Sequence, residues 1–159
     1  MQKNPINICI VDDDDIYQFT IIKTLQLFNL PKNIIAFADG EEALNFMLDN
    51  LGEDHKLPDV IFLDINMPIM DGFQFIDEYI KIKPKVGKSI TIYMVSSSVD
   101  PVDIERAKKI SAISDYIIKP IRQGQLKSIL EKLEKQTNPD NNNKVKVVQT
   151  PLNTKKSNL

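Results

Sequence analysis

The sequence predicts an α/β fold in which five parallel strands alternate with five helices, a doubly wound (βα)5 arrangement. Short runs rich in β-branched residues occur five times along the chain, at 6–11, 33–37, 59–63, 90–95 and 115–118. A stretch with helical spacing or a helix-start motif follows each run. Strands that alternate with helices are typical of a parallel sheet covered by helices on both faces.

The first two strand–helix units have distinct boundaries. Residues 6–11 (INICIV) are stopped by four aspartates, which indicates a strand buried on both faces. Residues 15–29 then predict a helix, because their apolar residues are spaced by three and four: Ile16, Phe19, Ile21, Ile22, Leu25 and Phe28. After the strand at 33–37, Asp39 precedes Glu42 by three residues, a capping-box arrangement that opens a helix through Leu51.

The remaining three units follow the same scheme. Asp71-Gly72 after the strand at 59–63 starts a helix that ends near Pro84, with its inward residues predicted as Phe73, Ile76, Tyr79 and Ile80. Asp100-Pro101 after the strand at 90–95 places an N-cap before proline at the first helical position. The final helix follows the strand at 115–118, with a buried stripe of Leu126, Ile129, Leu130 and Leu133.

Composition excludes several classes of protein. Of the 159 residues 42% are hydrophobic and 26% are charged, so the chain can bury a core and is not disordered throughout. A net charge of −2 argues against a nucleic-acid binder that is basic throughout. The single Cys9 cannot form an internal disulfide, no apolar run approaches the ~18 residues that span a bilayer, and residues 1–12 do not resemble a signal peptide. We therefore expect a reducing, cytoplasmic location and no membrane association.

The net charge is unevenly distributed. Four lysines against Asp140 give residues 138–159 a net charge of +3, which leaves −5 on residues 1–137. Two interpretations of this basic tail stay open. It is either a disordered, solubilising end, or its strand-like segment Val145–Val148 pairs with a neighbouring chain or lies on the acidic domain.

Polar residues follow four of the predicted strands, at the edge where such folds bind ligands. They are Asp12 to Asp15, Asp64, Ser96 to Ser98, and Lys119-Pro120. Carboxylates close together above apolar strands repel one another and need a cation. Oxygen ligands without His or Cys favour Mg²⁺ over zinc. A cation, a lysine and a hydroxyl around one carboxylate fit phosphoryl transfer onto that carboxylate.

Four motifs in this order resemble the receiver domain of response regulators, the CheY-like fold. They are Ile10-Val11-Asp12-Asp13-Asp14, Phe62-Leu63-Asp64-Ile65-Asn66-Met67-Pro68 with Met70-Asp71-Gly72, Met94-Val95-Ser96-Ser97, and Asp115-Tyr116-Ile117-Ile118-Lys119-Pro120. The resemblance covers residues 5–137 and leaves 138–159 as a polar tail. It implies a flavodoxin-like sheet with strand order 2-1-3-4-5 and a signalling domain that is not an enzyme.

The resemblance also implies a role for each matching residue. Asp64 would be the phospho-acceptor. Magnesium would be held by Asp12, Asp13, Asp64 and the carbonyl of Asn66, with Asp13 binding directly and Asp12 mainly through water. Ser96, in place of the commoner threonine, would hydrogen-bond the phosphoryl group and Lys119 would pair with it. Tyr116 would be an aromatic switch that turns inward when Ser96 moves, although a tyrosine opening a strand can also serve packing alone. Lys119-Pro120 would be a cis peptide.

The implied partners are proteins. The phosphoryl donor would be phosphohistidine on a sensor histidine kinase or a histidine phosphotransfer protein. The downstream target would contact the surface of the fourth helix, fifth strand and fifth helix, about residues 100–136. The 22 residues after 137 are too few for a helix-turn-helix domain, so we expect a single-domain regulator without direct DNA binding, acting by protein contact or phosphate relay. The oligomeric state stays open.

Two other functions are compatible with parts of the pattern. A haloacid-dehalogenase-type phosphatase also uses an aspartate after a strand, but it needs a second aspartate two residues on, where this chain has Asn66. A degenerate receiver that binds partners without phosphorylation would lack some of the chemical residues, whereas all are present here. His55, the single histidine, lies in a polar loop, and we expect it to be solvated rather than phosphorylated.

Overall fold

The computed structural model describes residues 3–139, which form one five-stranded parallel sheet flanked by five α-helices. The strands are β1 (Ile6–Val11), β2 (Lys32–Phe37), β3 (Val60–Leu63), β4 (Thr91–Ser96) and β5 (Asp115–Ile118). The helices are α1 (Asp15–Gln26), α2 (Gly40–Asp49), α3 (Gly72–Ile82), α4 (Pro101–Lys108) and α5 (Gln123–Thr137). Two 3-10 turns lie at Asp54–Lys56 and Lys83–Lys85.

The strand order is β2-β1-β3-β4-β5, so the predicted α/β fold and its strand order are confirmed. Parallel pairing places Val11 of β1 opposite Leu63 of β3. Asp12 and Asp64 directly follow these two residues and are therefore neighbours at the same sheet edge. Ser96 pairs with Ile118 at the ends of β4 and β5, which places Lys119 at that edge as well.

Two hydrophobic clusters lie on opposite faces of the sheet. Helices α2, α3 and α4 pack on one face, against residues that include Cys9 and Val11 of β1. Helices α1 and α5 pack on the other face, against Ile6, Ile8 and Ile10 of the same strand. Alternate residues of β1 thus enter different clusters, which explains why this strand is a continuous apolar run.

Aspartates cap the first four helices. Asp14, Asp39, Asp71 and Asp100 each accept a hydrogen bond from a main-chain N–H of the helix that follows. The capping box predicted at Asp39 is incomplete, because the Glu42 carboxylate accepts from the Ala38 N–H instead of from the cap residue. Asp71 and Gln74 form the reciprocal pair at the start of α3.

Three details of the predicted helices were wrong. Helix α1 ends at Gln26 rather than at residue 29, shortly before Pro31, and α2 ends at Asp49 rather than at Leu51. For α1 the spacing predicted a helix without assigning its buried face; in the structure Ile16 and Phe19 are 80% and 63% exposed, and the buried stripe runs through Ile21 and Leu25. Ile80 of α3, predicted to point inward, is 46% exposed.

Among residues 3–139, no helix combines the length and the apolar composition needed to cross a membrane. Residues 140–159 lie outside the described part of the chain, and with them the predicted pairing of Val145–Val148.

Candidate functional site

Three carboxylates meet at the carboxyl edge of the sheet. One oxygen from each of Asp12, Asp13 and Asp64 lies within 4.8 Å of the others. Asp12 and Asp64 are only 2% and 7% exposed, whereas Asp13 is open to solvent. The cluster is therefore accessible from one side and enclosed by the sheet on the other.

Main-chain hydrogen bonds fix one oxygen of each buried carboxylate. Oδ1 of Asp12 accepts from the Asp14 N–H at 2.9 Å, and Oδ1 of Asp64 accepts from the Ile65 N–H at 2.8 Å. The Oδ2 atoms of both residues face Lys119. Each buried carboxylate thus has a fixed orientation, with its Oδ1 held by a main-chain N–H and its Oδ2 directed toward the lysine.

Lys119 lies between the two buried carboxylates. Its Nζ is 2.6 Å from Oδ2 of Asp12 and 3.6 Å from Oδ2 of Asp64, and its side chain is 15% exposed. The Lys119 N–H donates to the main-chain oxygen of Ser96, and the peptide bond to Pro120 is cis, as the resemblance implied. In this arrangement the closer partner of the lysine is Asp12.

The environment of Asp64 favours its neutral form. The pKa of Asp64 is raised from 3.8 to about 6, chiefly by burial and then by the charge of Asp12, with a smaller contribution from Asp13, while Lys119 and the Ile65 N–H oppose the change. A second cation at the cluster would relieve this unfavourable charge.

The donor set fits Mg²⁺. The ligand atoms that the three aspartates offer are carboxylate oxygens, which hard divalent cations prefer, and Mg²⁺ needs only one or two carboxylates because it retains several waters. Exposed Asp13 leaves room for such waters. Asn66 lies two residues beyond Asp64 in the same loop and is exposed. Its carbonyl as a ligand remains a prediction.

Ser96 and Tyr116 are linked through Ser98. The Ser96 hydroxyl, fully buried at the end of β4, accepts from the Ser98 N–H at 3.1 Å. The Tyr116 hydroxyl donates to the main-chain oxygen of Ser98 at 2.8 Å, and its ring packs against the cluster formed with α2, α3 and α4. Tyr116 is thus directed inward in this structure. A movement of Ser96 would displace the Ser98 main chain that holds the tyrosine.

Two residues near the acids, Tyr17 and Gln18, were missed by the sequence interpretation, which named Gly72 only as a helix start and as part of a motif. The Tyr17 ring lies 4.3 Å from Lys119 Nζ, and the Gln18 amide donates to the main-chain oxygens of Asp12 and Phe37. Gly72 begins α3 against the main chain of Asp64 and Ile65. The N-cap at Asp14 was a sign that Tyr17 and Gln18 lie in the first helical turns, next to the acids.

His55 lies apart from these residues. It is exposed, as expected, and borders a cavity of about 290 Å³ at the amino end of β1 and β2, together with Asn7 and Asn33. Cys9 is buried in the core.

Comparison with known proteins identifies the family. The family model of the response regulator receiver domain matches residues 8–131, so the chain belongs to that family and contains the receiver domain of a two-component response regulator. The probable methanogenesis regulatory protein FilR2 of Methanothrix harundinacea is 24% identical over 132 residues, which cover 83% of each chain. The chain spans much less, 7% to 54%, of several other curated relatives.

Solved structures support the same assignment. A two component response regulator from Cytophaga hutchinsonii has a TM-score of 0.72 at 26% identity, over 82% of this chain and 98% of that one. The CheX–CheY–BeF3–Mg²⁺ complex from Borrelia burgdorferi has a TM-score of 0.62 at 23% identity, over 81% of this chain and 89% of that one. At 23% identity, the likeness to the Borrelia complex shows a shared fold alone.

Proposed function

We propose that Asp64 accepts a phosphoryl group from phosphohistidine, with Mg²⁺ held by Asp12, Asp13, Asp64 and the carbonyl of Asn66. The observation that carries this proposal is the orientation of Asp64. Its Oδ1 is occupied by the Ile65 N–H, and its Oδ2 lies 3.6 Å from Lys119 Nζ beside two further carboxylates. The donor would be a sensor histidine kinase or a histidine phosphotransfer protein, the partners typical of the family.

The transfer forms one bond and breaks one. Oδ2 of ionised Asp64 attacks the phosphorus, and the bond between phosphorus and the imidazole nitrogen breaks with its electron pair remaining on the nitrogen. The product is an acyl phosphate on Asp64. With its pKa at about 6, the metal-free carboxyl is mostly ionised at neutral pH and is able to attack. Bound Mg²⁺ would supply positive charge to the phosphoryl oxygens and to the acids.

Lys119 and Ser96 would bind the phosphoryl oxygens. Lys119 would move from Asp12 toward the phosphoryl group on Asp64, since its ammonium already lies close to the Oδ2 atoms of both aspartates. The Ser96 hydroxyl, which accepts from the Ser98 N–H, would donate its own proton to a phosphoryl oxygen, and a shift of Ser96 toward that oxygen would alter its contact with the Ser98 main chain. Because Ser98 also holds the Tyr116 hydroxyl, this shift would reach the surface of α4, β5 and α5.

That surface offers contacts for a partner protein. Val99 and Val102 are 67% and 71% exposed at the start of α4, and Ile118 is exposed on β5. We propose output through protein contact or phosphate relay in the cytoplasm, without direct DNA binding. The same fold occurs in the CheX–CheY–BeF3–Mg²⁺ complex from Borrelia burgdorferi, which supports output through protein contact at the level of the fold.

The two alternatives gain no support from the comparisons. The family match is to a receiver domain, and Asn66 occupies the position where a haloacid-dehalogenase-type phosphatase needs its second aspartate. A degenerate receiver is disfavoured by the presence of Asp12, Asp13, Asp64 and Lys119 at one site.

Acetyl phosphate with Mg²⁺ is expected to add one phosphate per chain, detected by intact-protein mass spectrometry. Asp64→Asn should lose the labelling to a few per cent or less, since its amide cannot act as the nucleophile. Chelation of the metal should have a similar effect. Asp77→Asn, which changes an exposed aspartate of α3, is the matched control and should label normally. Undiminished labelling of Asp64→Asn would overturn the proposal.

Mg²⁺ binding provides a separate test. Asp13→Asn is expected to weaken the affinity for Mg²⁺ at least about tenfold in a calorimetric titration, because the accessible carboxylate of the cluster loses its charge. Asp15→Asn, an exposed residue in the first turn of α1 outside the cluster, should bind Mg²⁺ nearly as the wild type does. Equal affinities of the two variants would contradict the proposed metal site.

A further inference from the structure

Lys119 contacts an aromatic ring as well as the two carboxylates. The centre of the Tyr17 ring is 4.3 Å from Lys119 Nζ, within the range of a cation–π interaction. The ammonium therefore contacts Asp12 after β1, Asp64 after β3 and Tyr17 on α1. The two carboxylates already have roles in the proposed phosphoryl transfer, whereas the ring has none.

The start of α1 determines where this ring lies. Oδ1 of Asp14 accepts from the N–H groups of Ile16 and Tyr17 at 3.0 and 3.1 Å, which fixes the first turn. Within that turn Ile16 is exposed and Tyr17 points toward the sheet, where it packs against the cluster formed with α1 and α5. Capping by an aspartate next to the acids thus places an aromatic face over the lysine.

The contribution of Tyr17 comes from its ring rather than from its hydroxyl. The buried hydroxyl has no hydrogen-bond partner among residues 3–139. Burial and the charges of Asp12 and Asp64 raise the pKa of Tyr17 above its usual range, so the phenol is neutral. A neutral ring attracts an ammonium through its face without competing for a proton.

We propose that Tyr17 is a positioning residue that holds Lys119 near Asp64 while the ammonium exchanges Asp12 for a phosphoryl oxygen. This proposal rests on the proposed function of Asp64. An ion pair of 2.6 Å has a narrow optimum, whereas the attraction to a ring face is broad in distance and direction. The ring therefore keeps its contact as the ammonium moves, and the lysine stays out of bulk water during the exchange.

The test compares the rate of labelling by acetyl phosphate at saturating Mg²⁺ in Tyr17→Leu, Tyr17→Phe and the wild type. Leucine removes the aromatic face, and we expect a loss of roughly three- to tenfold, in line with the usual strength of such contacts. Phenylalanine keeps the face and should restore most of the rate. Phe19→Leu also removes an aromatic face, but on the exposed side of α1, where the centre of the Phe19 ring is 5.4 Å from Lys23 Nζ. This variant should label at the wild-type rate.

A double-mutant cycle with Lys119→Met separates positioning from a structural effect. If Tyr17 acts through the lysine, Tyr17→Leu should cause no further loss in the Lys119→Met background. The idea fails if Tyr17→Leu labels as fast as the wild type, or if it slows both backgrounds equally. If the wild type is labelled but one of these two outcomes is found, the proposal for Tyr17 fails and the proposed function of Asp64 stands. If the wild type is not labelled, both proposals are overturned.

Discussion

Gly72→Ala is expected to lower the free energy of unfolding by about 3 kcal/mol, a large effect for the addition of one methyl group. Gly72 begins α3, and its N–H donates to the Ile65 main-chain oxygen at 2.8 Å. A Cβ at this position would overlap the main-chain oxygen of Asp64. Backbone cannot give way as a flexible side chain can, so α3 or the loop after β3 would have to shift. Labelling of Asp64 should decline as well, since the displaced atoms adjoin the acceptor.

Gly124→Ala is the matched control for this change. Gly124 lies in the first turn of α5, and a Cβ there would meet no atom within 4 Å. Alanine in a helix is favoured over glycine, so this variant should be as stable as the wild type or up to about 1 kcal/mol more stable. Urea denaturation, followed by circular dichroism, measures the free energy of unfolding of both variants. Equal stability of Gly72→Ala and Gly124→Ala would contradict the close packing at the acceptor.

Asp64→Asn is expected to stabilise the metal-free protein by on the order of 2 kcal/mol above pH 7. The pKa of Asp64 rises from 3.8 to about 6 on folding, chiefly through burial and secondarily through Asp12. Between these pH values the folded protein binds more protons at Asp64 than the unfolded chain does. Its contribution to stability therefore falls as the pH rises through this window. Asparagine carries no charge at any of these pH values, so the variant does not lose this stability as the pH rises.

Denaturation in the presence of a chelator at pH values from 4 to 7.5 measures the effect. The advantage of Asp64→Asn over the wild type should grow between about pH 4 and pH 6 and then level off. Asp77→Asn should show no such growth, because Asp77 is exposed. Adding Mg²⁺ should narrow the gap, since a cation that binds the folded wild type stabilises it. An advantage that is constant with pH would contradict the raised pKa of Asp64.

The sequence predicted the sheet because β1 and β3 are continuous apolar runs that end abruptly at aspartates. Parallel pairing then makes Asp12 and Asp64 neighbours, since the residues that precede them, Val11 and Leu63, are in register. This part of the site follows from topology alone. The motifs identified the family for the same reason, because each of them marks the end of a strand.

Helix α1 shows why the rest was harder to predict. Apolar residues lie on more than one face of this helix, so their spacing did not distinguish exposed Ile16 and Phe19 from buried Ile21. Tyr17 lies between two such residues, and only the packed helix shows which side chain meets Lys119. The connection of Ser96 to Tyr116 through Ser98 uses main-chain atoms, which every residue has, and side-chain type therefore gave no indication of it.

The central claim is that Asp64 carries the phosphoryl group. Its most direct test is to phosphorylate the wild-type chain with acetyl phosphate and Mg²⁺, reduce the acyl phosphate with borohydride, and locate the modified residue by peptide mass spectrometry. We expect the modification on residue 64, with Asp12, Asp13 and His55 unchanged. Modification at any of those three residues with Asp64 unmodified would contradict the account.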